Sequence, residues 1–543
     1  MKKLGSAILL LLLFLSSSFA QTSQDKPKLV VVMVVDQMRA DYISRYWDYF
    51  GEGGLKRLVN KGYSNKNTNY NFFPTYTAAG HASISTGSIP SLNGIVGNDW
   101  YDRNQQKSVY CTSDNSVSTI GSNSQAGKMS PSSLLTTTVG DELRLATNFR
   151  SKVIGVALKD RAAILTAGHN ATGVYWFDET TGGFISSSYY TNALPGWLTS
   201  FNNQKLSDKY LSEIWKTSLP IEKYQSTSTK DDVVYEGKFK GEASPTFPHN
   251  IPSIRKSYNY GLIRSLPNGN KLTFDLARAA IEGEKLGKNT VPDLLNVSFS
   301  SPDYIGHQFG PRSIEVADMY IKFDQDLSDF LSYLDTKVGK DNYVICLTAD
   351  HGAAENPVFL EDNKLPGGYA NGGIVDSLNS HLKTVYGIEP ITAFKNLQLY
   401  LDHKIIQKKN ISYSDVVSEI KRTLLTQESI NSVYSKEEIL VSGNENSPLS
   451  LLRNGFYYQR CGDITIVMNS GWLGSSGSKT GTTHGSTNLY DTHVPLIWYG
   501  KNISAGKDYS ETKVSDIAIT LSGILDIQSP SGSVGKFIPG ILK

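Results

Sequence analysis

Five short apolar runs punctuate the chain: LVVVMVV at 29–35, VIGVAL at 153–158, LLNVSF at 294–299, YVICLT at 343–348 and VPLIWY at 494–499. Apart from Asn296 and Ser298 in the third, these runs are almost wholly apolar, unlike a strand with one wet face. Continuous short runs of this kind predict strands buried on both faces of a parallel sheet. Elsewhere Val316, Met319, Phe323, Leu327, Phe330, Leu331 and Leu334 recur at spacings of three and four, which predicts one face of an amphipathic helix over 316–334. A further helix is expected over 515–525. Strands alternating with helices predict an α/β fold, an open and mostly parallel sheet flanked by helices.

Two long segments have a different texture. Residues 170–285 are rich in Tyr, Ser, Thr and Asn, and 353–480 mix Gly-rich loops with charged helices such as 413–425. Both are expected as capping insertions within one domain spanning 21–543. Residues 1–20 carry Lys2 and Lys3, an apolar run from Leu9 to Phe19, and a small residue at Ala20. That pattern predicts an export signal with Gln21 as the first mature residue, and hence a periplasmic or secreted protein. No later apolar run is long enough to span a bilayer, so no stable membrane insertion is expected.

Composition changes this picture little. The formal charge of +2 is too small to argue for nucleic acid as a partner. Cys111, Cys346 and Cys461 are odd in number and far apart; an exported chain could pair two of them, and Cys346, inside an apolar run, is expected as a buried thiol. The absence of any CxxC argues against cysteine-based metal chemistry. No heptad or interface strip points to an oligomeric state.

The informative pattern lies where the runs end. Asp36 closes the first, Asp303 follows the third in SSPDYIGH, and Asp350 closes the fourth in LTADHG. Ligands of open α/β sheets bind outside the carboxyl ends of the strands, so three carboxylates are expected in one crevice. Packed together without compensation they would repel, and a bound cation removes that repulsion. His307 stands four residues after Asp303, His351 follows Asp350, and His484 lies in GTTHGS before the last run. Carboxylate and imidazole without thiolate suit zinc, and six ligands suffice for two ions that each keep an open position.

At these residues the sequence resembles the alkaline phosphatase superfamily, and within it the periplasmic phosphate-irrepressible alkaline phosphatases, which share a core with nucleotide pyrophosphatase/phosphodiesterases. The motifs that carry the resemblance are VVDQM, FPTYTAAGHASISTG, GIVGNDWYD, LKDRAA, DYIGHQFGP, TADHGAA and GTTHGS. It implies that Asp303, His307 and His484 hold one zinc and that Asp36, Asp350 and His351 hold the other. It implies Thr77 as the nucleophile, also contacting metal, in preference to Thr75. An expected helix start at Thr77 agrees, because a helix N-terminus presents N–H groups and positive dipole to an anion. Asn98, Lys159 and Arg161 match the family's phosphate-contacting residues. The implied activity is hydrolysis of small-molecule phosphate monoesters through a phosphothreonine. The alternatives are a phosphodiesterase or nucleotide pyrophosphatase on the same fold, or an inactive surface binding protein. A sulfatase is disfavoured, because those enzymes use a modified Cys or Ser.

Overall fold

A computed structural model describes residues 26–441, 449–474 and 479–543. The expected export signal therefore lies outside the described residues. The central sheet uses eight principal strands: β1 (Leu29–Val35), β2 (Tyr63–Asn69), β3 (Val153–Ala157), β4 (Gly173–Asp178), β5 (Gly183–Ser187), β6 (Asp293–Phe299), β7 (Tyr343–Thr348) and β8 (His493–Gly500). They lie in the order β2-β8-β7-β1-β6-β3-β4-β5, with short strands extending both edges. β7, β1, β6, β3 and β4 run parallel. Every residue of β1, β3, β6 and β7 is buried, as helices on both faces require.

Two expectations need correction. The run at 494–499 is a strand, but it pairs antiparallel with both β7 and β2. Pro495 lies within it, where the register against β2 shifts. A proline cannot donate to the ladder, which confines it to such irregularities. The 170–285 segment is not wholly a cap, since β4 and β5 belong to the central sheet. Its last helix also covers that sheet: Phe274 packs 4.3 Å from Phe299 of β6. None of the three cysteines is disulfide-bonded, and all are buried.

Five helices matter below: α1 (Thr77–Thr86), α2 (Asp160–Ala167), α3 (Pro267–Glu284), α4 (Ser301–Phe309) and α5 (Ile314–Leu334). α5 is the expected amphipathic helix. Ser313 caps it by accepting the Val316 N–H, and its apolar positions enter the main core. The 353–480 segment builds a separate four-stranded sheet from Ile391–Lys395, Gln398–Leu401, Ile430–Ser435 and Ile464–Met468. That sheet has its own apolar core, completed by Leu378, Leu382, Val416 and Ile420 from two helices. Among the described residues no helix is long and apolar enough to cross a membrane.

A buried polar cluster ties the 229–249 segment to α5. His249 Nδ1 lies 2.9 Å from Glu242 and Nε2 lies 3.2 Å from Glu315. Asp231 and Glu236 crowd two further carboxyl groups around Glu315. Burial opposes a charge on His249, but hydrogen bonds to Glu242 and Glu315 outweigh it and raise its pKa to about 9. Burial and the Glu315 charge push the Glu236 carboxyl up as well. Both folded-state values lie above their unfolded ones. The stability they contribute is therefore complete below the unfolded values and falls as pH rises through about 9. For His249 the loss is at most about 3 kcal/mol. We expect the urea midpoint to drop between pH 6.5 and 9.5, and to drop less in His249→Gln. Parallel slopes for the two proteins would exclude His249 as the source.

Candidate active site

Four neighbouring parallel strands deliver the site. Asp36 directly follows β1, Lys159 follows β3 by one residue, Asp303 lies in the first turn of α4 beyond β6, and Asp350 follows β7 by one residue. Because β7, β1, β6 and β3 are adjacent, their carboxyl ends share one edge. The close approach of α1 to this edge depends on Gly80, where a Cβ would collide with the Asp350 carbonyl.

All six expected ligands converge. Ligand atoms of Asp36, Asp350 and His351 lie within 4.8 Å of one another, and so do those of Asp303, His351 and His484. His351 is thus common to two groups, where the motifs place His307 with Asp303 and His484. His307 remains in contact, its Nε2 3.0 Å from Asp303 Oδ1. His484 Nε2 lies 3.7 Å from the same oxygen.

The donor set fits metal binding on two counts. First, Nδ1 of each histidine faces a backbone carbonyl: Thr482 for His307, Gly352 for His351 and Thr75 for His484, at 2.8, 2.9 and 2.7 Å. Each Nδ1 therefore carries the proton, and each Nε2 lone pair turns toward the carboxylates. Second, Asp36 Oδ1 and Asp350 Oδ2 are buried without a hydrogen-bond partner. Two imidazole nitrogens stand near Asp350 Oδ2: His351 Nε2 at 3.4 Å and His81 Nδ1 at 3.3 Å, the latter also facing the Thr77 carbonyl at 2.8 Å. Burial and the charge of Asp350 push the Asp36 carboxyl well above the usual carboxylate range. Buried carboxylates with unsatisfied oxygens need a positive partner.

Thr77 opens α1, and its Oγ1 lies 3.5 Å from Nε2 of His351. Thr75, by contrast, donates its hydroxyl to the Ser486 carbonyl. Asn98 Oδ1 accepts the Ala78 N–H in the first turn of α1. Lys159 is buried, with Nζ 2.6 Å from both Asp36 Oδ2 and Asp303 Oδ2. Burial alone would lower its pKa, but Asp303 and Asp36 raise it above the usual lysine value. Lys159 therefore bridges the acids of both groups, where the motif reading placed it against phosphate.

Arg161 stands at the start of α2, which packs against α1. It donates to Tyr110 Oη, which in turn donates to Asp160. Its Nε is buried without a partner, and among the described residues no carboxylate lies within ion-pair distance of it. A guanidinium with a buried, unpartnered N–H and no carboxylate in direct contact has the donor geometry that an anion requires.

Sequence reasoning passed over several residues here. Gln37 lies inside VVDQM, yet its role depends on a backbone turn that glutamine does not announce. His81 links Thr77 to Ser298 of β6 through its two ring nitrogens. Asn396, from the smaller sheet, donates to the Asp99 carbonyl and so braces the loop that carries Asn98.

A family model described as Type I phosphodiesterase / nucleotide pyrophosphatase matches residues 30–491. This chain belongs to that family. Alkaline phosphatase PafA of Elizabethkingia meningoseptica is 46% identical over 521 residues, covering 95% of each chain. Alkaline phosphatase PhoV of Synechococcus elongatus is 45% identical over 549 residues, covering 99% of each. The crystal structure of wild-type PafA superposes with a TM-score of 0.92, over 95% of this chain and 99% of that one. The superfamily read from the motifs is the one the family model and these relatives identify, and the large mixed α/β sheet flanked by helices is the architecture this family member shares with PafA.

Proposed function

We propose that this chain is an alkaline phosphatase that hydrolyses phosphate monoesters through Thr77, using two divalent cations, which the donor set favours as zinc. The observation that carries the reading is the Thr77 hydroxyl, at a helix N-terminus, beside the histidine common to two carboxylate–imidazole groups. Asp36, Asp350 and His351 would hold one cation, and Asp303, His307 and His484 the other. When bound, such a pair makes a hydroxyl or water more acidic and neutralises charge on the attacking and leaving oxygens.

The chain's own groups do the rest. Thr77 Oγ1 attacks phosphorus, the bond to the alcohol oxygen breaks, and the alcohol departs with a proton. Water then attacks the phosphothreonine, which releases phosphate and restores the hydroxyl. The N-terminus of α1 sets the positive end of its dipole at Thr77, while the Ala78 N–H is held by Asn98. Asn98 has its carbonyl oxygen engaged by Ala78, so its amide nitrogen is the atom that donates to a phosphoryl oxygen. Lys159 places a buried positive charge beside the crevice, and Arg161 supplies the uncompensated guanidinium. Catalysis of this kind rests on positioning and electrostatics.

The family also contains phosphodiesterases, whose substrates carry one less negative charge. The unpaired Arg161 favours the dianionic monoester. Arg161→Ala is expected to lower kcat/KM for p-nitrophenyl phosphate by roughly 10²-fold or more, an interaction of about 3 kcal/mol, while hydrolysis of the bis ester changes far less. Parallel assays of the two substrates test this. Equal losses would argue against a contact between Arg161 and the transferred group, and a parent chain that prefers the bis ester would favour the diesterase.

A further inference from the structure

Gln37 directly follows Asp36 and adopts a left-handed backbone conformation, φ 62°. It is buried, at 2% exposure. Residues other than glycine occupy this region at a cost of about 1–2 kcal/mol, so a buried glutamine there is held by its surroundings. Its main-chain N–H donates to Asp350 Oδ1 at 3.1 Å. Its side-chain Nε2 donates to Asp303 Oδ1 at 2.6 Å. The amide fits because residue 306 on α4 is glycine, where a Cβ would strike Gln37 Oε1. One residue thus grips a carboxylate from each ligand group, by two different parts of its structure.

We propose that Gln37 is a positioning residue for both cation sites, with its side chain fixing Asp303 and its main chain fixing Asp350. The inference rests on the reading that these carboxylates hold cations. Its physical basis is the orientation of a ligating oxygen by a hydrogen bond to its carboxylate, whose loss typically weakens metal binding 10–100-fold. The division of labour makes the two sites separable. A substitution at position 37 keeps the N–H toward Asp350 and removes only the amide toward Asp303.

The test is zinc retention. Gln37→Ala and Gln37→Gly are dialysed against graded zinc–chelator buffers, and bound zinc is measured by elemental analysis alongside the parent chain. Both variants are expected to lose one of two ions at 10–100-fold higher free zinc than the parent, while the other ion is retained. Gln37→Gly also removes the left-handed strain and is expected to be the more stable of the two when stripped of metal. Its zinc deficit should nevertheless match that of Gln37→Ala, which separates the amide from backbone strain. Parent-like retention of both ions in either variant would overturn the assignment of Gln37 alone. So would simultaneous loss of both ions accompanied by lower stability of the stripped protein, the mark of a merely structural role. A parent chain that takes up no zinc would overturn this inference together with the two-cation reading beneath it.

Discussion

Thr77→Ala is expected to yield a folded, zinc-loaded protein whose turnover of p-nitrophenyl phosphate falls by about 10⁴-fold or more, as when a covalent nucleophile is deleted. The substitution removes a hydroxyl and a methyl from the first residue of α1. Alanine is at home in a helix, and the Thr77 hydroxyl faces His351 rather than a backbone N–H of the first turn. The carboxylate and imidazole groups keep their mutual contacts, because none of them depends on Oγ1 for its orientation. Zinc content, measured by elemental analysis, should therefore match the parent. Thr75 offers an internal control: its hydroxyl is already committed to the Ser486 carbonyl. Activity of Thr77→Ala within tenfold of the parent would remove Thr77 from the chemistry.

Asp350→Asn is expected to abolish activity and to forfeit most of the stability that zinc adds. With zinc present, the parent gains stability from metal that binds only the folded chain, and the variant, having lost a charged ligand, gains much less. Without zinc the two proteins should differ much less, because the Asp350 charge presses on Asp36 yet is itself held by His351, His81 and Lys159. Asp350 is fully buried, one of its oxygens has no hydrogen-bond partner, and its charge presses on Asp36. A neutral amide of the same shape relieves that repulsion while still accepting the Gln37 N–H. Melting curves of both proteins, in zinc and in chelator, give the four numbers needed. If zinc raises the melting temperature of both proteins equally, Asp350 is not a ligand and the case for a cation site weakens.

Much of this centre could be read from residue order. The runs ending at Asp36 and Asp350 and the helix opening at Asp303 are unbroken apolar segments closed by acids, a pattern that survives without neighbours. The orientation of β8 could not be read in that way, because direction within a sheet is decided by pairing partners far away in sequence. Pro495 was the one local warning. β2, with the sequence YSNKNTN, has too few apolar residues to announce a strand, and it forms because β8 and the short edge strands pair with it. Gln37 and Asn396 act through left-handed backbone and contacts that span hundreds of residues, so composition carries no trace of their roles. The sharing of His351 between two groups is likewise a matter of ångströms, below what spacing can resolve.

The smaller sheet over 391–468 keeps an apolar interior distinct from the one behind Asp36, Asp303 and Asp350. Much sequence drift there is absorbed on the spot, and one route by which it reaches the reaction centre is the loop that Asn396 braces. Descendants of this chain can accordingly remodel the wall beside Asn98, and with it the alcohol they accept, while the machinery that breaks the phosphorus–oxygen bond stays as it was.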